Sequence, residues 1–255
     1  MSPSRVVAGR RAVTEAIRAG AAGEVLLARG ARETPGLQAL REAASAAGVP
    51  VRRVERRELD GMAPAHQGVA ARLLRGAPTL TERELALYAF EDDDFVVVLD
   101  GITDPQNMGA CARSAEAAGA AMLVTRIHRA AGATPAAVRA SAGALVHLPH
   151  ARVANLARAL DRLQAAGFFT VGLDGGAEGT VYDEDCPAGR LALVVGSEGK
   201  GLSRLVRERC DVLVRLPVAG RVGSLNASAS LAAALWSYVV PSRRAASQRG
   251  ATPSP

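Results

Sequence analysis

The sequence predicts an α/β protein with a mainly parallel sheet, preceded by a smaller α/β domain, and three observations carry that reading. Short apolar, β-branched runs alternate with helix-length segments along most of the chain. The run Phe95–Asp100, FVVVLD, is almost wholly apolar, as a strand covered on both faces must be. In the last third, Leu191–Val195 and Val212–Leu216 have strand length and open into the glycine-punctuated loops Gly196–Gly201 and Pro217–Gly223. A small-residue helix over Ser224–Val240 closes that unit. Loops at the carboxyl ends of such strands are where an α/β sheet places a ligand.

In chain order, residues 5–75 form a compact first domain. Val6–Ala19 reads as a helix, Glu24–Ala28 as a strand, Leu37–Ala47 as a helix stopped at Gly48, and Val51–Val54 as a strand. His66–Arg72 is a turn leading into another strand. Arg52, Arg53, Arg56 and Arg57 crowd one short stretch, either as a solvated face or as a rim for phosphates. Residues 76–93 hold a turn, a short helix and an acidic run with no continuing periodicity, and are expected to be a linker. The second domain, 94–240, runs strand Phe95–Asp100, loop Gly101–Asn107 and helix Met108–Ala118. It continues with strand Ala121–Thr125, helix Pro135–Ala142, strand Leu145–Leu148, helix Asn155–Ala166 with Asn155 as cap, and strand Phe168–Leu173. Residues 241–255 are polar and expected to be disordered.

Composition bounds the function. A chain of 255 residues with 49% apolar content can bury one large core or two modest ones. It has no segment of membrane-span length and no apolar signal core in MSPSRVVAGRR, which predicts a soluble, cytoplasmic protein. Net charge is +6, and Lys200 is the one lysine among 31 basic residues. A GC-rich coding sequence explains arginine in place of lysine, but not the positive sign, which favours a nucleic-acid partner. With 3% aromatic residues, base stacking is not the broad recognition device. Cys111, Cys186 and Cys210 are odd in number and lack Cys-x-x-Cys pairing, so they read as buried thiols; no histidine has metal-ligand spacing with them, and no metal is expected.

The loop Gly196–Gly201, GSEGKG, matches neither the Walker order nor Gly-x-Gly-x-x-Gly. A nest of backbone N–H groups favours an anion, but Glu198 would put a carboxylate at its centre. A neutral adenosine, or a cofactor carrying a positive sulfonium, suits the loop better; a plain tight turn is the alternative.

Three stretches together are more specific than any of them alone. DGITDPQNMGACARSAEAAG (100–119), LALVVGSEGKGLSRLVRERCD (191–211) and LPVAGRVGSLNASASLAAALW (216–236) resemble, in order and spacing, the motifs of the SpoU/TrmH branch of the SPOUT RNA methyltransferases. GRRAVTEAI and HQGVAAR in the first domain look like the substrate-binding domain of the 23S rRNA (guanosine-2′-O-)-methyltransferases of the RlmB type. The resemblance spans roughly residues 5–240. It implies a C-terminal domain with a trefoil knot, S-adenosyl-L-methionine as cofactor, RNA as substrate and a homodimer. By motif it implies Asn107, Arg113, Glu198, Ser224 and Asn226 as catalytic residues, and Gly196, Leu216, Pro217, Gly220 and Leu225 as the cofactor site. Arg221, Gly223 and Ala227 depart from the usual third motif but leave its core intact.

Each residue also has a plainer reading. Asn107 could cap its helix, Arg113 could pair with Glu116, and Ser224 or Asn226 could cap the last helix. The implied reaction is methylation of a ribose 2′-hydroxyl, most simply on a guanosine of 23S rRNA, with tRNA or a non-catalytic RNA-binding role as alternatives. A guanidinium stays protonated, so Arg113 is better suited to orienting a phosphate than to acting alone as base. An enzyme of nucleotide phosphates or NAD would need a phosphate loop that the sequence lacks.

Overall fold

A computed structural model describes residues 6–63, 66–73, 79–183, 185–220 and 223–244. The first elements are β1 (Val6–Ala8), α1 (Arg10–Arg18), β2 (Ala22–Ala28), α2 (Pro35–Ala46), β3 (Val51–Val54), α3 (Arg56–Met62) and β4 (Val69–Leu73). Next come β5 (Thr79–Thr81), α4 (Glu82–Ala86), β6 (Phe95–Asp100), α5 (Pro105–Ala117), β7 (Met122–Arg126), α6 (Pro135–Ala140), α7 (Ala144–His147) and β8 (His150–Val153). The chain ends in α8 (Leu156–Ala165), β9 (Phe169–Leu173), β10 (Leu191–Gly196), α9 (Arg204–Arg207), β11 (Val212–Val214) and α10 (Ala227–Ala234). A π-helical turn, Leu235–Val239, follows α10 and leads into a further helical turn to Arg244.

These elements divide into two compact units. The first takes the described residues of Met1–Thr79 together with Asp104–Arg113 and Ala131–Pro149. Its sheet has the order β1-β4-β2-β3, with β4 antiparallel to both β1 and β2 and β3 parallel to β2. Val6, Leu26, Val54, Leu59 and Ala70 pack as one cluster on one side of it. Within this unit α5 meets α6 where Gly109 leaves no room for a Cβ against Ala140 and the backbone of Ala137 and Ser141. Gly143, at φ +100°, brings α7 against Glu15 and Ala12 of α1 in the same way.

The second unit takes Leu80–Thr103, Ser114–Ala130 and the described residues from His150 onward. Its sheet has the order β11-β9-β10-β6-β7-β8-β5. The pairs β11–β9, β9–β10, β10–β6, β6–β7 and β7–β8 are all parallel. Central strands β6 and β10 are buried at every position, which is why they read as unbroken apolar runs. The chain winds outward from β6 to β8, then crosses back to β9 and inserts β10 beside β6. That reversal is the kind of place where a parallel sheet opens a ligand crevice.

Several expectations are corrected here. Val6–Ala8 is a strand, not the start of the helix, which begins only after Gly9 at φ +95°. The charged run after β3 turns into α3, and Leu145–Leu148 falls in α7 and its cap, with the strand displaced to His150–Val153. A four-residue apolar run cannot choose between helix and strand by itself. Within the described part of 76–93, the segment expected to be a linker, β5 joins the larger sheet, and Leu85 is buried in one cluster with Val96, Val98 and Leu160. One arginine holds the following turn: Arg190 donates to the carbonyls of Glu91, Ala166 and Phe90 at 3.1, 2.8 and 2.7 Å. Of the expected tail, Pro241–Arg244 are helical, with Ser242 donating to the Cys186 carbonyl at 3.3 Å; 245–255 lie outside the described residues, as does Arg221.

Candidate active site

The site in the second unit starts from the ends of β9, β10 and β11. Immediately after β10 the chain doubles back on itself: the Ser197 N–H donates to the Gly201 carbonyl at 3.2 Å, and the Gly201 N–H donates to the Ser197 carbonyl at 2.9 Å. A Cβ on Gly196 would collide with the backbone of Gly201 and Leu202, so only glycine lets the loop cross this strand end. Gly199 and Gly201 sit at φ +72° and +63°, where other residues are strained. Below the loop, Asp100 at the end of β6 is 3% exposed. Its Oδ2 accepts from the Ser203 N–H at 2.7 Å, and its Oδ1 lies 3.7 Å from the Arg126 guanidinium. Asp100 thus pins the far end of the loop to the neighbouring strand. Sequence reasoning missed it, because its partner is 103 residues away.

The second wall comes from the segment between β11 and α10. Asn226 caps α10: its Oδ1 accepts from the N–H groups of Ser228 and Ala229 at 2.9 and 3.3 Å and from the Ser228 hydroxyl at 2.6 Å. Its Nδ2 donates to Glu198 Oε1, tying the two loops together. The capping role and the site role belong to the same side chain. Ser224 lies outside the helix and does not cap it.

Between the walls is a cavity of about 590 Å³. The expected residues Gly196, Leu216, Gly220, Leu225, Glu198 and Ser224 all line it, whereas Pro217 does not. Asp174, at the end of β9, lines it too and was not foreseen; its Oδ2 accepts from Arg207 Nε at 2.8 Å and its Oδ1 from the Gly176 N–H at 2.8 Å. Gly199, Gly201, Gly220 and Gly223 have open space where a side chain would stand, which leaves backbone groups reachable. Leucines, glycine backbone, the carboxylates of Asp174 and Glu198 and the cations Lys200 and Arg215 line a cavity of a size that suits an adenosine-type cofactor.

Asn107 and Arg113 share α5 and fall in the stretch of that helix belonging to the first unit. The cap there is Asp104, which accepts from the N–H groups of Gln106 and Asn107 at 3.1 and 3.4 Å. Asn107 therefore does not serve as N-cap and lies within the first turn. Arg113 is exposed and, among the described residues, makes no ion pair with Glu116 or any other group.

The thiols are poor nucleophiles. Burial pushes Cys111 and Cys210 up to about 12, and burial also raises Cys186. His150 goes the other way: fully buried, with Thr125 at 2.7 Å, its pKa is lowered to about 4 by burial and then by the nearby Arg152 charge. Among the described residues no three His, Cys, Asp or Glu side chains gather as metal ligands would, and no helix is long and apolar enough to cross a membrane.

A parallel sheet with a glycine-built cavity at its reversal point, holding carboxylates and no phosphate loop, defines a nucleoside-type cofactor domain joined to a small basic α/β domain. Comparison with known proteins makes this specific. Residues 94–236 match the SpoU rRNA Methylase family, and residues 6–74 match the domain described as RNA 2′-O ribose methyltransferase substrate binding. The chain belongs to the SpoU rRNA methylase family. It is 41% identical over 213 residues to a 23S rRNA (guanosine-2′-O-)-methyltransferase RlmB of Pseudomonas putida, covering 82% of this chain and 84% of that one. The Escherichia coli K12 protein of the same name is 39% identical over 218 residues, covering 85% and 89%. Among solved structures, the SpoU methyltransferase AviRb of Streptomyces viridochromogenes, in complex with the cofactor AdoMet, superposes with a TM-score of 0.75 at 28% identity. That match covers 94% of this chain and 90% of AviRb.

Proposed function

We propose that the protein methylates a ribose 2′-hydroxyl of RNA, on a guanosine of 23S rRNA, using S-adenosylmethionine. The observation that carries the reading is the cavity at Gly196–Gly201, tied by Glu198 and Asn226 to the loop before α10, in a chain related over more than four-fifths of its length to enzymes named for that reaction. Residues 5–75 serve as the substrate-binding domain and 94–240 as the catalytic domain; the first unit's α5 stretch, Asp104–Arg113, would carry the catalytic Asn107 and Arg113. Gly196, Leu216, Gly220 and Leu225 would hold the adenosine part, with Pro217 shaping the loop, and Glu198 would face the cationic end. When bound, S-adenosylmethionine supplies an electrophilic methyl group.

What the chain adds is positioning. Asn226 fixes Glu198, and Ser224 lines the same cavity with its hydroxyl free of the helix cap. Arg113, exposed and without an ion pair among the described residues, is available to a phosphate of the RNA next to the reacting ribose. Its guanidinium stays protonated, so it orients the phosphate, and the phosphate can take the hydroxyl proton. Alignment of hydroxyl and methyl donor is the largest gain a rigid site offers such a displacement. Thiols whose pKa is raised by burial, Cys111 fully and Cys186 and Cys210 partly buried, argue against base-carbon methylation, which needs a nucleophile to activate the ring. The family further supports a trefoil knot at the C-terminal strands, a cytoplasmic location and a homodimer; Trp236 and Tyr182, 49% and 65% exposed in the single chain, suit covering by a second copy.

Incubation with methyl-labelled cofactor and unmodified 23S rRNA, followed by alkaline hydrolysis, tests the reading. A 2′-O-methyl ribose blocks attack on the adjoining phosphate, so label is expected in alkali-resistant dinucleotides. Label confined to mononucleotides carrying a modified base would refute it.

A further inference from the structure

The arginines around β3 are sorted by the fold into two sets, and the sorting marks a surface. Strand residues alternate faces, so Arg52 and Arg53 point to opposite sides of the sheet. Arg52 is spent internally: its guanidinium meets Glu24 at 2.9 Å and Glu58 at 3.1 Å, and Arg72 meets Glu24 at 3.1 Å and Glu58 at 3.8 Å. Two cations and two carboxylates close that face. Arg53, exposed like its neighbour, has no hydrogen bond or ion pair among the described residues.

Arg53 instead borders a groove of about 510 Å³ between β2, β3 and α2. Leu27 and Val49 with Val51, which is 39% exposed, form an apolar floor; Leu27 is the register partner of Arg53. Gln38 and Arg41 of α2 form the opposite rim. Glu42 is also there but accepts from Gln38 Nε2 at 3.0 Å, and Arg41 reaches Glu33 only at 3.7 Å. Strand β3 is the sheet's edge, so nothing in this unit's sheet covers the outer side of the groove.

We infer that this groove, with Arg53 and Arg41 as its charged rim, holds one unstacked nucleotide of a single-stranded stretch of the RNA substrate. The inference rests on the proposed RNA methylation and names where the first domain grips its substrate. The Arg53 guanidinium, unpaired among the described residues, suits a phosphate, and its plane can stack on a base; Arg41, paired with Glu33 at 3.7 Å, adds positive charge on the opposite rim. An apolar floor accepts the face of a splayed base, and the volume is that of a small-ligand site, not of a duplex groove. In a chain with 3% aromatic residues, aliphatic floor and guanidinium take over the part that aromatic rings play elsewhere.

The test compares neighbouring arginines in the full chain. Binding of 23S rRNA is titrated across salt concentrations for wild type, Arg53→Gln, Arg53→Glu and Arg52→Gln, with cofactor affinity measured beside it. Arg53→Glu is expected to weaken RNA binding about tenfold and Arg53→Gln less, each lowering the salt slope by about one, because one phosphate contact is lost. Arg52→Gln should leave RNA binding within about twofold, since its charge is already neutralised. Cofactor affinity should be unchanged in all three. Unaltered RNA binding in Arg53→Glu, or equal losses in the Arg52 and Arg53 variants, overturns the assignment while leaving the methylation reading in place. A wild-type protein that neither binds nor methylates rRNA overturns both, and is a distinct result.

Discussion

Glu198 and Arg113, both proposed for the reaction, live in opposite surroundings. Glu198 sits in a loop whose every turn is fixed: Gly196 admits no side chain, Ser197 and Gly201 bond to each other, Asp100 holds Ser203, and Asn226 holds the carboxylate itself. Arg113 stands exposed on a helix surface with no partner among the described residues. The difference teaches where each is meant to find its counter-charge. An anchored side chain suits a preformed pocket, and an unpaired one stays available to a ligand that arrives from outside. On this account the cofactor pocket of the second unit is built in advance, and Arg113 is left for the RNA to pair.

The strongest way to break that contrast is Gly196→Ala. The added methyl must displace the backbone of Gly201 and Leu202, so calorimetry should find cofactor binding abolished and thermal unfolding should find about 1–3 kcal/mol of stability lost. Arg113→Lys sharpens the other half. It keeps the charge and loses the planar fork, so cofactor affinity should match wild type while methyl transfer falls by roughly two orders of magnitude. Equal turnover in this variant would return Arg113 to the solvent.

Asn226→Asp separates the two duties of one residue. Its carboxylate still accepts from Ser228 and Ala229, so the helix stays capped, but it repels Glu198. Cofactor binding should weaken about tenfold, the scale of a lost bond to a charged group, with stability nearly unchanged. Asn226→Ala should also cost about 1 kcal/mol of stability through the lost cap.

The smallest effect comes from pH. The folded-state pKa of His150, about 4, lies below its ordinary 6.5, so the unfolded chain binds the extra proton first. Stability is complete above pH 6.5 and is lost as pH falls toward 4. Between pH 7.5 and 6.0 this removes on the order of 1 kcal/mol, measurable as a lowered unfolding midpoint that a His150→Gln variant would not show. Cofactor affinity that fell in step would mean the loop borrows its rigidity from the far strands.

Legibility followed sequence distance. Strands β6 and β10 and the Asn155 cap were readable because burial on both faces, or a cap three residues from its donor, leaves a local signature. Val6–Ala8 was absorbed into the amphipathic pattern of α1, and α7 was mistaken for a strand, because runs of three or four apolar residues carry no period. In the site, the glycine loop and Asn226 were visible as motif. Asp100 and Asp174 were not, since their partners Ser203 and Arg207 lie 103 and 33 residues away. Nor could the sequence tell that Arg52 is neutralised and Arg53 is not, because Glu24 reaches Arg52 across a strand pair.

The most direct measurement is a calorimetric titration of the RNA-free, wild-type protein with S-adenosylmethionine. A pocket fixed by Gly196, Asp100 and Asn226 should bind it saturably, one per chain, and should bind it equally in Arg113→Lys. Absence of binding until rRNA is added, or binding of ATP or NAD in its place, would contradict the claim that this side of the site is built before the substrate arrives.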